Sequence, residues 1–358
     1  MVRISTSIAG LSLQKSEMTD GMQKTDVLIV GAGPAGSVCG YLLQKAGVSC
    51  LLIDHATFPR DKICGGGVTP KGWTLLEKLM PGFKYDYNSI RKIKLIVEDN
   101  HHCEFDSALE LRLVQRKVFD RLLLEQYLSA GGTFQKDAFL QYEEFDDHLV
   151  VTLKSGEKIA CRYLVGADGS TSAVRRQLTG ERDNGILFVE QYVEKSSDNA
   201  IEISMSKHYD VNGYFYRFPN KEFDAVGYGD VSMNIEKGKR ILHEKQIPEG
   251  KLRGCYLYLK NDYPLNDRVI LIGDAGGFAH RITCEGIRPA IETAVNAAEA
   301  IKTGRPFREV NALIFEKMKK QDKVLHYFYK PANIWLLGQL CRWPSVVKWC
   351  FDRALRPK

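Results

Sequence analysis

Apolar and polar positions change their spacing several times along the chain, and each change predicts an element. Residues 27–30, after Asp26, form an apolar, largely β-branched run of the kind buried on both faces of a parallel sheet. A Gly-Pro turn and an apolar stretch with helical spacing follow, and residues 49–53 make a second strand-like run. The pattern then predicts a helix over 70–80, a strand over 92–97, and an amphipathic helix over 116–130 that stops at Gly131-Gly132. Alternating positions over 138–153, and a run over 158–165, read as strands. From 186 to 258 the texture changes. Strand-like runs dominate there, among them 201–205, 213–218 and 225–228, which suits an antiparallel sheet forming a second unit. Strand–helix alternation returns with a buried strand over 268–272 and a long helix over 285–303.

The first strand feeds Gly31-Ala32-Gly33-Pro34-Ala35-Gly36, a G-x-G-x-x-G turn. Gly31 permits the tight turn, Gly33 lets backbone approach a pyrophosphate, and Gly36 lets helix pack on strand. The phosphates would sit at the helix N-terminus, where Pro34 and Ala35 open the helix among unpaired N–H groups. Asp54 follows the second run, 23 residues beyond Gly31, placed for a ribose hydroxyl. A glycine turn alone is a weak signal. Strand, turn and carboxylate together predict a dinucleotide site.

At 358 residues the chain has room for two domains with cores of their own. A composition of 44% hydrophobic and 26% charged residues is that of a soluble globular protein, and no apolar run approaches the roughly 18 residues of a membrane-spanning helix. The nine cysteines are scattered without a C-x-x-C pair, which suits a reducing cytosol and argues against a disulfide framework. A cytoplasmic location is therefore expected. The eight histidines lack metal-ligand spacing, so no metal is expected, and His101-His102 reads as an exposed loop. Residues 1–24 read as a flexible extension without a secretory signal. Net charge is +6, and part of the excess lies over 331–358, where Arg342, Lys348, Arg353, Arg356 and Lys358 face only Asp352. The same segment holds Trp335, Trp343 and Trp349. Two readings stand: a helical pair packed on its own core, or a peripheral membrane contact. Nucleic acid is not expected, because no basic–aromatic stripe accompanies a binding motif.

Three separated elements carry a resemblance. The first is the glycine turn. The second, Val165-Gly166-Ala167-Asp168-Gly169-Ser170-Thr171-Ser172-Ala173-Val174-Arg175, resembles the D-G-x-x-S-x-V-R element of flavoprotein hydroxylases and their relatives. The third, Gly273-Asp274-Ala275 followed by Glu285-Gly286-Ile287, resembles the element whose Asp binds the flavin ribityl chain and whose later backbone faces the pyrimidine edge. Their order implies FAD. Within that p-hydroxybenzoate hydroxylase-like superfamily the chain resembles the geranylgeranyl reductase family. Arg60-Asp61-Lys62-Ile63-Cys64-Gly65-Gly66-Gly67 is similar to that family's R-x-K-x-C-G-G loop beside the flavin. Tyr214-Phe215-Tyr216-Arg217-Phe218-Pro219, with Gly227-Tyr228-Gly229, is similar to its Y-x-W-x-F-P and G-x-G, which line a prenyl cavity. Tyr216 stands where tryptophan is usual, Cys284 where glycine is usual, and Arg281 near a usual proline.

Pattern and resemblance together imply an α/β fold, α+β overall. A Rossmann-like FAD-binding domain (25–85, 101–180 and 264–308) is interrupted by an antiparallel-sheet substrate domain (86–100 and 181–263) and followed by a C-terminal helical segment (309–358). The resemblance implies a FAD-dependent reductase of C=C bonds in isoprenoid chains, with hydride from flavin N5 and a proton from a nearby acid. Besides the turn residues and Asp54, it implies cofactor contacts from Gly65, Gly67, Arg116, Ala138, Asp168 and Gly169. Gly273, Asp274, Gly286 and Ile287 join them. Cys64 is the candidate proton donor or flavin-proximal group, or else a small apolar filler. Tyr214 and Tyr216 would line the substrate cavity. Arg60 and Lys62 hold a substrate phosphate or stay solvated, and His280 lies near the flavin edge. No second G-x-G-x-x-G is present, so NAD(P)H bound transiently or a reduced ferredoxin-like protein would supply electrons. A monooxygenase or halogenase is the rival enzyme, although the W-x-W-x-I-P pattern of flavin halogenases is absent. A flavin-binding redox sensor without turnover is the rival from another class.

Overall fold

In the computed structural model, residues 22–180, 185–206, 213–261 and 266–357 are described. The expected N-terminal extension lies outside these, except for residues 22–24. The chain runs β1 (Gln23–Val30), α1 (Pro34–Lys45), β2 (Cys50–Asp54), β3 (Gly67–Val68), α2 (Pro70–Leu79), β4 (Asn88–Val97) and β5 (His101–Leu113). Next come α3 (Arg116–Ser129), β6 (Thr133–Lys136), β7 (Phe139–Glu144), β8 (Leu149–Leu153), β9 (Lys158–Gly166) and α4 (Ala173–Thr179). The second unit adds β10 (Ile186–Glu194), β11 (Ala200–Met205), β12 (Tyr214–Pro219), β13 (Phe223–Asp230), α5 (Ile235–Glu244) and β14 (Arg253–Leu257). After β15 (Val269–Leu271) and a 3₁₀ turn, Gly273–Gly276, the chain is helical: α6 (Ile287–Thr303), α7 (Phe307–Val310), α8 (Ala312–Phe328), α9 (Pro331–Leu340) and α10 (Pro344–Leu355).

The first sheet has the order β6-β2-β1-β9-β8-β7, with β15 also on β9. Its β6, β2, β1, β9 and β15 pair in parallel, so their carboxyl ends share one edge. The apolar run of β1 serves two cores. Val27 and Ile29 pack with Val38, Leu43 and Phe119 on the helical side, while Leu28 and Val30 pack with Leu149, Leu164 and Val174 on the other. That is the physical reason the run does not alternate.

The second sheet has the order β14-β10-β13-β12-β11-β4-β5-β3. It is antiparallel except where β11 pairs with β4 in parallel. Phe215, Val226 and Tyr228 turn to the face covered by Ile241 and Leu242 of α5, which leaves Tyr214 and Tyr216 on the opposite face. Two expectations are corrected here. His101-His102 is not a loop, because it opens β5 and pairs back on Val97 and Ile96. All of β5 therefore belongs to this second sheet, so residues 101–113 leave the nucleotide-binding unit: a hairpin keeps both its strands in one sheet. At the C-terminus α9 and α10 pack on this hairpin through Ile334, Leu337, Val347 and Phe351, with Ser107 donating to Asp352 Oδ1 at 2.7 Å.

Candidate active site

The separated motifs meet at the carboxyl edge of the parallel strands, where open α/β sheets bind ligands. Gly31 has a φ of 104°, and a Cβ there would lie 2.4 Å from the Ala167 carbonyl oxygen, so the first turn lies directly on the second. A Cβ on Gly36 would lie 1.9 Å from Gly31 O, which is why helix α1 needs glycine to close on β1. A Cβ on Gly273, whose φ is 58°, would lie 3.1 Å from the Ala35 methyl carbon, so the third motif packs closely on the first, and Asp274 faces Gly286. Arg175, fully buried, ties the second motif to the third by donating to Ser170 O at 2.7 Å and Ala275 O at 3.2 Å. Its guanidinium lies 3.6 Å from the centre of the Tyr258 ring.

Around this edge the side chains divide into those that build turns and those that face the site. Asp54, 6% exposed, accepts from Ala32 N and Ala56 N, both at 2.8 Å, and so couples the ends of β1 and β2. Asp168 is turned inward: it accepts from Ser172 Oγ at 2.5 Å and Ala173 N at 2.8 Å, and so holds the start of α4. Its carboxylate therefore shapes the loop, leaving Gly169 and backbone toward the site. Ala138 follows β6 and is held by local hydrogen bonds. Its N–H donates to Asp137 Oδ1 and its carbonyl accepts from Lys154 N, which ties this backbone into the turn after β6. His280 is half-buried and desolvation holds it down to about 4; its Nδ1 accepts from the Ile282 and Thr283 amides, so it closes its own turn as a neutral ring. Cys284 has a φ of 54°, the left-handed region where a glycine carries no Cβ penalty. Burial pushes its thiol up to about 12. Arg281, 1% exposed, braces that segment by donating to Gly277 O at 2.7 Å and Asp322 Oδ1 at 2.6 Å.

The loop carrying Cys64 bridges the two sheets. Arg60 lies 3.2 Å from Asp120 Oδ2, and Arg116 donates to both Asp120 oxygens at 2.7 and 2.8 Å. Arg60 is thus paired rather than solvated, and its Nη2 would lie 3.5 Å from a Cβ placed on Gly33. Lys62 sits 3.9 Å from Asp274 Oδ2 and close to Gly169. The Cys64 sulfur accepts from Gly66 N at 3.4 Å. Gly66, at φ 76°, approaches the Val114 carbonyl oxygen, and Gly67 pairs with Leu113 in β3. A Cβ on Gly65 would stand 1.8 Å from the Phe218 ring, so this backbone lies flat on an aromatic surface. That surface continues as Phe218, Tyr216, Tyr214 and Phe188, whose neighbouring ring centres are 5.1 to 6.2 Å apart.

Comparison with known proteins decides the family. The FAD binding domain family matches residues 24–190. An uncharacterised protein of Methanosarcina barkeri is 33% identical over 319 residues, covering 84% of this chain and 79% of that protein. The chloroplastic geranylgeranyl diphosphate reductase of Nicotiana tabacum is 27% identical over 86% of this chain and 73% of its own. Digeranylgeranylglycerophospholipid reductase 2 of Methanosphaera stadtmanae is 26% identical over 88% of both. The chain belongs to the geranylgeranyl reductase family of FAD-dependent oxidoreductases.

The fold agrees with this family. The crystal structure of a geranylgeranyl bacteriochlorophyll reductase-like protein from Thermoplasma acidophilum superposes with a TM-score of 0.69, covering 94% of this chain and 91% of that one at 22% identity. A point mutant of the halogenase PltM in complex with FAD superposes with a TM-score of 0.68 at 15% identity, covering 82% of this chain and 73% of that one. Residues of this geranylgeranyl reductase family member also fit FAD on their own geometry. No side chain caps the N-terminus of α1, no acidic residue lies in its first turn, and a Cβ on Gly33 would meet only Arg60 Nη2. A helix N-terminus with open glycine backbone and a facing guanidinium is a pyrophosphate cradle. The residues that sequence reasoning missed are Asp120 and Glu190. Asp120 carried a signal, since it stands four residues after Arg116 on a helix. Glu190 carried none, because its partners are far away in the chain.

Proposed function

We propose that the protein reduces C=C bonds of isoprenoid chains, with the proton coming from the protein. The observation that carries this reading is the contact between the Cys64 loop and the aromatic face of the second sheet. Cofactor-side backbone and an apolar wall are brought together there, as saturation of an unactivated alkene requires. FAD, when bound, supplies a transferable hydride. Gly31, Gly33, Pro34, Ala35 and Gly36 would hold its pyrophosphate, Asp54 its ribose, and Arg116 and Arg60 its charge. Gly65, Gly67, Gly169, Gly273, Asp274, Gly286 and Ile287 would border the ribityl chain and ring. Tyr214, Tyr216, Phe188 and Phe218 keep water from the alkene. Cys64 positions the loop beside the ring. The relatives' names support an isoprenoid substrate without choosing its head group, and the electron donor is NAD(P)H or a reduced ferredoxin-like protein.

An anaerobic half-reaction tests the reading. Flavin reduced by dithionite is mixed with geranylgeranyl diphosphate, and reoxidation is followed together with a mass gain of two hydrogens. Reoxidation with saturated product is expected. Flavin that stays reduced until oxygen enters, then turns over an aromatic substrate, would establish the monooxygenase reading, and no turnover with any physiological donor would favour the sensor. In the same assay Cys64→Ala is expected to keep FAD and lose about tenfold or more in reoxidation rate, since a loosened loop misplaces the reacting groups.

The C-terminal helices support peripheral membrane contact. Among the described residues no helix is long and apolar enough to cross a membrane. Trp335, Trp343 and Trp349 are 60%, 57% and 58% exposed, and the Arg353 guanidinium lies 5.2 Å from the Trp349 ring centre. Exposed tryptophan beside basic charge favours an anionic bilayer surface. Co-sedimentation with anionic phospholipid vesicles is expected, and loss of at least half the bound fraction on replacing all three tryptophans by alanine. Equal binding by both proteins would remove this contact.

A further inference from the structure

We propose that Tyr216 and Glu190 form the proton relay of this site, Tyr216 giving its proton to the alkene and Glu190 refilling it. The inference deepens the reductase reading and rests on it. Three strands assemble the pair. Register sets Glu190 of β10 opposite Gly227 of β13, and Gly227 opposite Tyr216 of β12. With no side chain on the middle strand, the phenol leans across it. A Cβ on Gly227 would stand 2.5 Å from Tyr216 Oη and 2.6 Å from Cζ. Tyr216 Oη thereby reaches Glu190 Oε2 at 2.7 Å. The other carboxyl oxygen, Oε1, accepts from Cys64 N at 3.3 Å, so the pair is fastened to the Cys64 loop. Glu190 is fully buried and Tyr216 is 5% exposed.

The position is unusual for the family in a way that changes its chemistry. Tryptophan, common at this place, has an indole N–H and no acidic proton, whereas a phenol both gives and accepts one. Around the Glu190 carboxyl stand Tyr216 on β12, Arg253 on β14, Tyr192 on its own strand, and Asp61 and Cys64 on the loop. Arg253 Nη2 is 3.9 Å from Oε1, and the same side chain is also paired with Asp61. Burial raises Glu190 to about 7 against the lowering effects of Tyr216, Arg253 and the Cys64 amide, so near neutral pH it carries a proton part of the time.

FAD, when bound and reduced, would supply a hydride, and with it two electrons, to one alkene carbon. The other carbon takes the proton of the Tyr216 O–H, which breaks. As that bond breaks, the Glu190 O–H passes its proton to the Tyr216 oxygen, so no free phenolate forms, and the carboxylate is reprotonated from solvent before the next turnover. The alkene is reduced and the flavin oxidised.

The test uses the FAD-loaded full chain in the anaerobic half-reaction with geranylgeranyl diphosphate. Tyr216→Phe and Tyr216→Trp are expected to keep FAD and to slow reoxidation on the order of 10²- to 10⁴-fold. The wild-type rate is expected to fall as pH rises through about 7, and Glu190→Gln to be slow and without that fall. A second readout needs no turnover. A carboxyl raised from 4.5 to about 7 in the folded state binds more protons folded than unfolded between those values. Wild-type thermal stability, measured against Glu190→Gln, should therefore decline from pH 4.5 to about 7 and level off above. A Tyr216→Phe protein with the wild-type rate, or a flat stability difference, overturns the relay and leaves the reductase reading standing. Wild-type flavin that no isoprenoid reoxidises overturns both.

Discussion

Gly31→Ala is expected to emerge from purification without flavin and with a much lower unfolding midpoint. The backbone at Gly31 has a φ of 104°, and a Cβ would meet Ala167 O at 2.4 Å, Ala167 C at 2.6 Å and Asp168 Cα at 2.8 Å. All three neighbours are backbone, so no side chain can rotate away. Relief requires parting the turn after β1 from the turn after β9, and those turns are the two sides of the cofactor cradle. Strained φ and overpacking each cost about 1–3 kcal/mol, which sets the loss at roughly 2–6 kcal/mol. Gly33→Ala is the contrast, because its Cβ would meet only Arg60 Nη2 at 3.5 Å. It should fold with near-normal stability and lose flavin by blocking the approach of the phosphates. The flavin-to-protein absorbance ratio and a urea midpoint check both, and full flavin content in Gly31→Ala would refute the cradle geometry.

Asp120→Asn should unfold at markedly lower urea, by about 3–5 kcal/mol, whether or not flavin is bound. The Asp120 side chain is fully buried, and it is shared by Arg116, 6% exposed, and Arg60, 18% exposed. Removing its charge leaves two guanidinium groups facing each other in a poorly solvated place. The loop that starts at Arg60 should loosen as well, and Cys64 with it. A denaturation midpoint within 0.5 kcal/mol of the wild type, converted through the measured slope, would show that the cluster is better hydrated than its burial indicates.

Legibility followed the range of the interactions. Gly31, Gly33 and Gly36 announce their turn because glycine is required by backbone geometry within six residues, and the structure brings that turn against the Asp168 and Asp274 motifs. The Cys64 loop and the Tyr214–Tyr216 face were also legible, as resemblances. At Asp168 and Ala138 the structure adds local partners that residue type does not announce: Ser172 and Ala173 donate to the Asp168 carboxylate, and Lys154 N donates to the Ala138 carbonyl. His101-His102 was misread because two polar residues at a strand end look the same as a loop until a partner strand is assigned.

What the sequence by itself determined is the set of local devices: the glycine turn, the carboxylate after β2, the apolar runs and the long amphipathic helices. Each is decided by sterics and hydrophobic spacing among near neighbours. What only the tertiary structure decided is which distant residues share a row. Glu190, Gly227 and Tyr216 lie on three strands, and nothing within any one segment states their register. Register comes from burying the opposite face against α5, where Phe215, Val226 and Tyr228 pack. A slip by one residue would turn those three outward and separate the carboxyl from the phenol.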